Sequence, residues 1–509
     1  MTRRKEIGRA LLSLMLVSLV FYSKAQQGYR ITVNFKNCPD SQVYLLKYIF
    51  DQTYMVDTCK KIKNGRIEFK GKEALEKGVY IFVSQDKAPY FELLVNESQN
   101  FVINCDATDL ISSLTVTGSK ENEMFFSYMK HGVSKNKEFN LALKDTKGKN
   151  KQDSIRYIND KIQQLNADVK KYEADFMQRV KGTYLYDVMN LKTEKIATDI
   201  PKAKNGRPDS LYAFYYYKSH FFDGVNFKDE RIVRTPYFDD RLKKYFESVV
   251  VVDPDTVIAE IDKLMSKCDQ GSLTYRALLG FFSFKYEQSK LIGFDKVFVY
   301  LADNYMLNGK GAGIYSESTL KAVKERADIM RPLLAGKKVP DLYMIDTNDV
   351  RKVRAMGFDT IKSSQSITNL YYKNEAALVS MFKTLYNVNA KYTVLVFWAS
   401  DCSHCQEDIP KLHKSMEELI GKVDVKVFAV QTKDEAVEDW IRFINNHSLK
   451  NFIHVCDPVH INGFREKFDV IATPVIYVLD RDKKILAKKL ESKSVVNLIK
   501  HYESLEKKP

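Results

Sequence analysis

The chain has 509 residues, a formal net charge of +15 at pH 7, 45% hydrophobic residues and 28% charged residues. This balance is ordinary for globular domains with apolar cores, and it excludes a chain that is disordered throughout. The seven cysteines are spread over the whole length, which excludes a small scaffold held together by disulfides. The length itself predicts about three domains.

Residues 1–25 have the pattern of a cleavable secretory signal. Basic residues before Ala10 are followed by an apolar run to Tyr22, which is too short to span a bilayer well. Small residues at Ser23 and Ala25 then occupy the two positions that a signal peptidase reads. We therefore expect a soluble, exported mature protein, with an uncleaved anchor as the alternative. We expect no later segment to cross a membrane.

The surplus of positive charge is spread along the chain and is densest in residues 134–151, SKNKEFNLALKDTKGKNK. A basic balance is common in nucleic-acid-binding proteins, but an exported protein rarely meets nucleic acid. We therefore predict no nucleic-acid partner and interpret the segment as a solvated basic face. Weak association with an anionic membrane surface is the second interpretation.

Residues 26–118 are predicted to form a β-sandwich domain. The segment YRITVNF alternates apolar and polar residues, and GVYIFVS, FELLV and FVINC are further strand-like runs. Asn64-Gly65 stands between two such runs and predicts a two-residue hairpin turn.

Three cysteines fall in this β-sandwich domain. Cys105 shares a strand face with Phe101 and Ile103, so we predict a buried apolar side chain rather than a reactive thiol. Cys38 and Cys59 would be in a compartment where disulfides form, but the sequence leaves their pairing open.

Residues 119–335 are predicted to form an α-helical domain. In SIRYINDKIQQLNADVKKYEADFMQRV the apolar positions step by three and four from Ile155 to Phe176, which predicts a helix with one narrow seam. We interpret it as part of a local helical hairpin, with a dimeric coiled coil as the alternative. The aromatic segment LYAFYYYKSHFF, residues 211–222, is interpreted as core or as a domain contact.

Residues 336–509 alternate strand-like and helix-like segments, which predicts an α/β domain with a parallel sheet and right-handed crossovers. The strand-like runs include KYTVLVFW, VDVKVFAVQ, FIHVC and PVIYVL, and the helices between them begin at CQEDIP, EAVEDW and INGFRE. A turn at DRDKK joins PVIYVL to ILAKK, so these last two strands should be antiparallel.

Two cysteines stand three residues apart in FWASDCSHCQEDIP, residues 397–410. A c-type haem anchor would require a histidine after Cys405, where the chain has Gln406. A structural zinc site would require two more ligands at close spacing, and the other histidines are isolated, so we expect no metal. A copper site with a distant histidine is a weaker alternative, and a redox couple is the interpretation that the local pattern favours.

This pattern places Cys402 where a buried strand ends and a helix begins. Unpaired N–H groups and the helix dipole at that end favour a thiolate, and such sites lower a thiol pKa from about 8.5 to roughly 3.5–7.5. Cys405 lies one turn later on the same side of the helix, close enough to close a disulfide. We therefore predict Cys402 as the exposed nucleophile and Cys405 as the buried resolving thiol.

On these residues, the segment resembles the thioredoxin-like fold. More narrowly, it is similar to the periplasmic, membrane-facing thiol-disulfide oxidoreductases that serve cytochrome c maturation, whose pattern is FWAxWCxxCxxExP. The resemblance covers residues 336–509, and IATPVIYVLD (471–480) matches the family's cis-proline segment at Pro474. It implies that Thr473 and Pro474 bind substrate backbone beside the cysteines, and we group Trp398 of the FWA motif with them.

The chain departs from this family at several positions. Asp401 replaces the tryptophan that usually precedes the nucleophile and disfavours a thiolate, whereas a protonated His404 favours one. Asp408 stands where the family keeps a buried acid and is assigned to take the proton from Cys405, with a solvent-facing residue as the alternative. Residues 348–390 are longer than the family norm and contain a helix-like stretch, EAALVSMFKTLYN. The direction of electron flow stays open.

The upstream segment FKDERIVRTPYFDDRLKKYF, residues 227–246, is similar to domains of unassigned role that precede thioredoxin modules in exported Gram-negative proteins. We interpret it as part of a partner-binding arm. The resemblance implies an exported, periplasmic thiol-disulfide oxidoreductase that needs no cofactor. Its partners would be cysteine-containing exported proteins and a membrane thiol donor or acceptor. The alternative is a non-catalytic binding or scaffold protein that retains a thioredoxin-like fold.

Overall fold

The structure of the chain is a computed structural model that describes residues 28–146, 150–361, 363–419 and 421–506. The predicted signal peptide, residues 1–25, lies outside these ranges. Among the described residues, those up to Gly280 and those from Phe281 onward form two compact units. The three domain boundaries given by the sequence stay predictions. None of the helices in the described ranges combines the length and the hydrophobicity needed to span a lipid bilayer.

The strands are labelled in chain order. They are β1 Tyr29–Lys36, β2 Val43–Ile49, β3 Gln52–Cys59, β4 Arg66–Gly71, β5 Gly78–Val83, β6 Pro89–Val95, β7 Asn100–Asp106, β8 Thr115–Thr117, β9 Tyr343–Asp346, β10 Phe382–Thr384, β11 Tyr392–Trp398, β12 Val425–Gln431, β13 Phe452–Cys456, β14 Val475–Leu479 and β15 Ile485–Lys488.

The α-helices are Leu110–Ser113, Lys120–Lys144, Lys151–Arg179, Tyr184–Lys192, Ser210–His220, Pro236–Lys244, Pro254–Met265, Leu273–Glu287, Asp295–Leu301, Glu317–Met330, Val350–Val353, Ser364–Met381, Ser403–Met416, Val437–Asn446, Phe464–Lys467 and Ser492–Glu506. Short 3-10 segments are Ala107–Asp109, Glu230–Arg234, Arg331–Leu333 and Asp434–Ala436. Single π-helical turns are Tyr245–Val249, Ala302–Met306 and Arg354–Phe358.

The first eight strands form two four-stranded sheets, in the spatial orders β4-β1-β7-β8 and β3-β2-β5-β6. Alternate residues of β1 point inward, so Ile31, Val33 and Phe35 are buried. They share one apolar core with buried residues of the second sheet, such as Leu45 and Phe82. Two sheets that bury their apolar faces against each other form a β-sandwich, as predicted.

The Asn64-Gly65 turn forms, but the hairpin predicted around it does not. Both residues have left-handed backbone, with φ of 52° and 71°, and Lys63 pairs with Arg66 across them. The flanking strands then diverge, because β3 pairs with β2 in one sheet and β4 pairs with β1 in the other. The turn therefore carries the chain from one sheet to the other, where each strand buries apolar side chains in the shared core.

The cysteines of the β-sandwich differ in exposure. Cys105 is buried, as predicted, and burial raises the pKa of its thiol to about 12. Cys38 and Cys59 are half-buried free thiols. The prediction that Cys105 is an apolar core residue rather than a reactive thiol is therefore confirmed.

The helices Lys120–Lys144 and Lys151–Arg179 pack against each other within the chain. The ring of His131 stacks on that of Tyr172 with a centroid distance of 3.6 Å, and the Tyr128 hydroxyl donates to Glu173 at 3.0 Å. The local helical hairpin predicted from the apolar seam is therefore present.

The aromatic segment 211–222 is only partly buried. Phe221 and Phe222 pack on Tyr245 with centroid distances of 4.9 Å in both cases. The preceding helix Ser210–His220 buries none of its residues, and Tyr215 is 63% exposed. The core interpretation therefore holds only for the end of the segment, because the helix before it presents its aromatic rings outward.

The last seven strands form one sheet with the order β10-β9-β13-β12-β11-β14-β15. The strands β11, β12 and β13 are parallel, and β14 and β15 are antiparallel, as predicted. Both faces of β11 are covered, so the strand is buried along its whole length. Val396 and Trp398 face one apolar core, while Leu395 and Phe397 face the other.

The long segment 348–390 extends the edge of this sheet. Its main helix begins at Ser364 and ends at Met381, inside the predicted helix-like stretch EAALVSMFKTLYN. The residues that follow, Phe382–Thr384, form β10 instead and pair antiparallel with β9. A strand replaces the predicted helix end because β9 offers backbone partners there, which the local pattern does not reveal.

Candidate active site

A short loop after β11 is held in place by one buried glutamine. The Ser400 N–H donates to Oε1 of Gln431 at 3.3 Å, and Nε2 of Gln431 donates to the Ser400 hydroxyl at 3.1 Å. The Gln406 side chain donates to the Ser400 carbonyl oxygen at 2.9 Å from the helix side. Gln431 is the last residue of β12, which is parallel to β11. The carboxyl ends of both strands therefore lie at this loop.

Cys402 is the N-cap residue of the helix Ser403–Met416, as predicted. Its N–H donates to the Ala399 carbonyl oxygen at 3.1 Å, and its own carbonyl oxygen accepts from the Gln406 N–H at 2.9 Å. Its side chain is half-buried. The sulfur therefore lies at the end of the helix where backbone N–H groups lack partners within the helix.

The segment before β14 lies directly beside this sulfur. Cys402 Sγ donates to the Thr473 carbonyl oxygen at 3.4 Å, and the Thr473–Pro474 peptide bond is cis. The two segments meet because β14 pairs antiparallel with β11, with Phe397 opposite Val475. The sheet thus brings together residues that are about 70 positions apart in the chain.

The pKa of the Cys402 thiol lies below its ordinary value. Burial raises this pKa, but hydrogen bonds from the Thr473 side chain, the Cys405 thiol and backbone N–H groups of Cys405 and His404 favour the thiolate and outweigh burial. The N–H groups belong to the first turn of the helix. The helix start therefore favours a nucleophilic sulfur at this position.

Cys405 is fully buried one turn later in the same helix. Burial raises the pKa of its thiol to about 12, despite hydrogen bonds with the Thr473 side chain and the Ala399 backbone. A fully buried thiol keeps its proton until a base removes it. The two sulfurs therefore differ as an attacking and a resolving thiol must.

The family model described as Redoxin matches residues 380–500, which contain both cysteines and the cis-proline. A domain of a possible thiol-disulfide isomerase from Cytophaga hutchinsonii is 32% identical, over 35% of this chain and 99% of its own, with a TM-score of 0.27. The chain belongs to the thioredoxin-like thiol-disulfide oxidoreductase family.

Further matches are two family models upstream of this thioredoxin-like domain and two more solved structures. Two family models described as domains of unknown function, DUF4369 and DUF5106, match residues 29–125 and 187–328. A thioredoxin-like protein from Bacteroides caccae is 14% identical, over 60% of this chain and all of its own, with a TM-score of 0.36. The thioredoxin domain of a thiol-disulfide oxidoreductase from Bacteroides vulgatus is 20% identical over 33% of this chain and 97% of its own, with a TM-score of 0.25. No curated protein matches the chain.

In the thioredoxin-like domain, the carboxylate of Asp401 is paired with Lys433. The two exposed side chains form an ion pair, which raises the pKa of Lys433. The Cys402 sulfur also raises this pKa, so the Lys433 cation lies within electrostatic range of that sulfur. The positive charge of Lys433, which the sequence analysis missed, acts against the predicted effect of Asp401 on the thiolate. Lys433 could have been identified from the sequence, because it lies two residues after β12 and β12 is the parallel neighbour of β11.

Replacing Lys433 with methionine should make Cys402 less reactive at neutral pH. Asp401 would be left as an unpaired negative charge near the sulfur, so the pKa of Cys402 should rise. The pH profile of its alkylation should then move upward by roughly 0.3–0.7 pH unit, a modest shift because the pair is exposed. Iodoacetamide labelling over a pH series, with Cys402 quantified by peptide mass spectrometry, measures the profile.

The matched control for this variant is Lys411→Met. Lys411 forms its ion pair with Glu407 on an exposed part of the helix Ser403–Met416. Its loss should leave the Cys402 profile unchanged. An unchanged profile in the Lys433 variant as well would show that Lys433 does not act on the nucleophile.

The remaining polar residues of the thioredoxin-like motif are more exposed. His404 is exposed between the two cysteines. Asp408 is half-buried one turn after Cys405 and, within the described ranges, makes no hydrogen bond with either thiol of the pair. The roles assigned to His404 and Asp408 from the sequence stay predictions.

The position of Trp398 differs from the sequence prediction that it binds substrate. Its side chain is fully buried in the core below the loop, where its ring lies 5.4 Å from that of Phe443. A side chain with no exposed surface does not contact a substrate protein, so the prediction that Trp398 binds substrate is wrong. Thr473 and Pro474 are half-buried, and the carbonyl oxygen of Thr473 lies 3.4 Å from the sulfur. Cys456 is fully buried at the end of β13, where burial raises the pKa of its thiol.

Proposed function

We propose that the protein exchanges disulfides with partner proteins through Cys402 and Cys405. The observation that carries this proposal is the asymmetry of the two thiols. One is half-buried at a helix start and has a lowered pKa, while the other is fully buried one turn away and has a raised pKa. A purely structural pair does not need one sulfur to be ionisable and the other to be protected.

In the reductive direction, the Cys402 thiolate attacks one sulfur of a substrate disulfide. A mixed disulfide forms, and the other substrate sulfur leaves as a thiolate. Cys405 then loses its proton and attacks the Cys402 sulfur, which closes the Cys402–Cys405 disulfide and releases the second substrate thiolate. Two electrons pass from the pair to the substrate. The same steps in reverse oxidise a dithiol, so both directions use the same residues.

The residues around the pair have separate roles in these steps. The exposed backbone at Ala472 and the half-buried Thr473 and Pro474 would bind the substrate chain beside the sulfur. Asp408, one turn beyond Cys405, would accept the proton of the resolving thiol, and His404 would favour the thiolate when protonated. The proposal assigns no cofactor and no metal, because thiol-disulfide exchange needs neither.

The partners we propose are cysteine-containing exported proteins and a membrane thiol donor or acceptor in the periplasm. The similarity of FWASDCSHCQEDIP to the pattern of oxidoreductases that serve cytochrome c maturation supports a role in that process. The upstream domains would act as a partner-binding arm. A non-catalytic scaffold that retains the fold is the competing function.

A redox titration of the full chain distinguishes these functions. The protein is equilibrated in buffers of defined ratios of reduced to oxidised dithiothreitol or glutathione, quenched with acid, and labelled with a maleimide that adds mass to each thiol. The pair should titrate reversibly with a midpoint between about −270 and −120 mV, the range of known exchange catalysts. A Cys402→Ser, Cys405→Ser double variant gives the background of the other cysteines. A pair that stays oxidised in excess dithiothreitol would support the scaffold and overturn the proposal.

A further inference from the structure

The loop that precedes the cis-proline is fixed by a buried ion pair. The side chain of Asp469 is only 4% exposed and receives two hydrogen bonds from the guanidinium of Arg326. The distances are 2.7 Å from Nη1 to Oδ1 and 3.1 Å from Nη2 to Oδ2. Lys489 Nζ also donates to Oδ2 at 2.7 Å. A bidentate guanidinium fixes both the position and the orientation of the carboxylate.

Arg326 is itself held in one orientation. It lies on the helix Glu317–Met330, its side chain is 16% exposed, and its Nε donates to Glu287 Oε1 at 3.0 Å. Its Nε therefore donates to Glu287, while Nη1 and Nη2 donate to Asp469. These two carboxylates hold the guanidinium from different sides. The residue lies outside the Redoxin match and inside the match to DUF5106, a family model of unknown function.

The loop between Asp469 and the cis-proline follows a constrained backbone path. Asp469 has a left-handed backbone with φ of 50°, and its carbonyl oxygen accepts from the Ile471 N–H at 3.2 Å. The Tyr477 hydroxyl donates to the Phe468 carbonyl oxygen at 2.6 Å. The path then reaches Thr473, whose carbonyl oxygen and side chain contact the Cys402 sulfur. Four residues therefore separate the ion pair from the redox sulfur.

We propose that Arg326 is a positioning residue for the redox site. Through its ion pair with Asp469, Arg326 holds the cis-proline loop so that Thr473 stays in contact with the Cys402 sulfur. This inference rests on the proposed function and assigns a role in it to a residue of the upstream helices. The Cys402 thiol donates to the Thr473 carbonyl oxygen at 3.4 Å, and the Thr473 side chain favours the thiolate. Both contacts depend on distance and angle, so a shift of the loop weakens them, and loss of the side-chain contact disfavours the thiolate. Without Arg326, the buried Asp469 carboxylate would keep only Lys489 as a charged partner, and the loop would relax toward solvent.

The test measures the reactivity of Cys402 in the full chain with Arg326→Met. The rate of iodoacetamide labelling at Cys402 below its pKa should fall roughly threefold to tenfold, because less of the thiol is ionised, and its pH profile should move to higher pH. In a disulfide-reduction assay, kcat should fall more than KM rises, because the loss acts on the nucleophile. Arg326→Lys, which keeps the charge but not the fork, should restore part of the labelling rate.

Arg331→Met is the matched control. Arg331 follows the same helix and donates to Asp303 at 2.7 Å and to Asp328 at 2.7 Å, and neither carboxylate lies in the loop. Thermal unfolding should show that both methionine variants lose some stability, whereas only Arg326→Met should change Cys402. A folded Arg326→Met protein with the wild-type labelling rate and pH profile would overturn the inference. If Arg326→Met does not fold, the same result in Arg326→Lys, which lacks the two-pronged contact with Asp469, would overturn it.

The failure of this inference is distinguishable from the failure of the proposed function. Labelling of Cys402 needs no substrate and no exchange activity. If the wild-type pair does not cycle with thiol buffers, the proposed function fails, and the comparison of labelling rates still decides whether Arg326 positions the loop. If the pair cycles and the rates do not differ, only the inference fails.

Discussion

The Cys402→Ala protein should show no catalysis of disulfide reduction above the rate of the added thiol alone. The attacking sulfur is then absent, and the fully buried Cys405 does not replace it, because burial holds its pKa near 12 and closes it to a substrate. Loss of a covalent nucleophile costs about three orders of magnitude or more. Insulin precipitation in the presence of dithiothreitol measures the effect directly.

The Cys405→Ala protein should fail differently, by accumulating mixed disulfides. Cys402 still attacks, but the thiol assigned to resolve the intermediate has been removed. Incubation with a disulfide-containing protein should give a covalent adduct on non-reducing electrophoresis that disappears with excess thiol. The adduct should be absent from a Cys402→Ala, Cys405→Ala double variant.

Cys59→Ala is the matched control for both variants. Cys59 is a half-buried free thiol of the β-sandwich and takes no part in the proposed mechanism. Its loss should leave the rate of insulin reduction unchanged. Full activity in Cys402→Ala, or an adduct carried by a cysteine other than Cys402, would contradict the assignment of the nucleophile.

Trp398→Ala should destabilise the thioredoxin-like domain by about 3–5 kcal/mol in the free energy of unfolding. The side chain is completely buried and packs on Phe443, so its removal leaves a large cavity under the loop that carries Cys402. Because the loop begins at the next residue, disulfide reduction should also weaken. A substrate-binding tryptophan on the surface would instead change KM with little loss of stability.

The two tryptophans of the chain make this measurement selective. Both Trp398 and Trp440 lie in the core of the thioredoxin-like domain, so Trp440 fluorescence still reports unfolding of that domain in the variant. Urea titration of the full chain gives the change in midpoint. Tyr372→Ala is the control, since Tyr372 is 67% exposed and its loss should change stability by less than about 0.5 kcal/mol. A stability loss for Trp398→Ala no larger than that of the control would contradict the core role.

Much of the site could be predicted because it is built from local features. A buried strand, a tight loop and a helix start fall within residues 392–405, and the pattern of the chain there reveals all three. Cys402 as the more accessible sulfur and Cys405 as the buried one follow from one turn of helix geometry, although Cys402 is half-buried rather than exposed as predicted. The same holds for Cys105, whose inward direction follows from the two-residue period of a strand.

The errors arise where a distant segment decides the outcome. Asn64-Gly65 makes its turn, yet β4 pairs with β1, the first strand of the domain, and not with β3. Trp398 has the same local pattern whether its ring faces a core or a substrate, and only the helices that cover its face of the sheet bury it. Asp401 looks unfavourable for a thiolate until β12 brings Lys433 beside it.

The sequence by itself determined the order of strands and helices from β11 to the last helix and the position of Cys402 at a helix start. These depend on periodicity, helix ends and cysteine spacing, which act over a few residues. Only the tertiary structure decided what surrounds that sulfur: the contact with Thr473, the cation of Lys433 and the Arg326–Asp469 pair that holds the cis-proline loop. Charge pairing and burial act through space between segments that the fold brings together, and no local pattern in the chain specifies which segments those are.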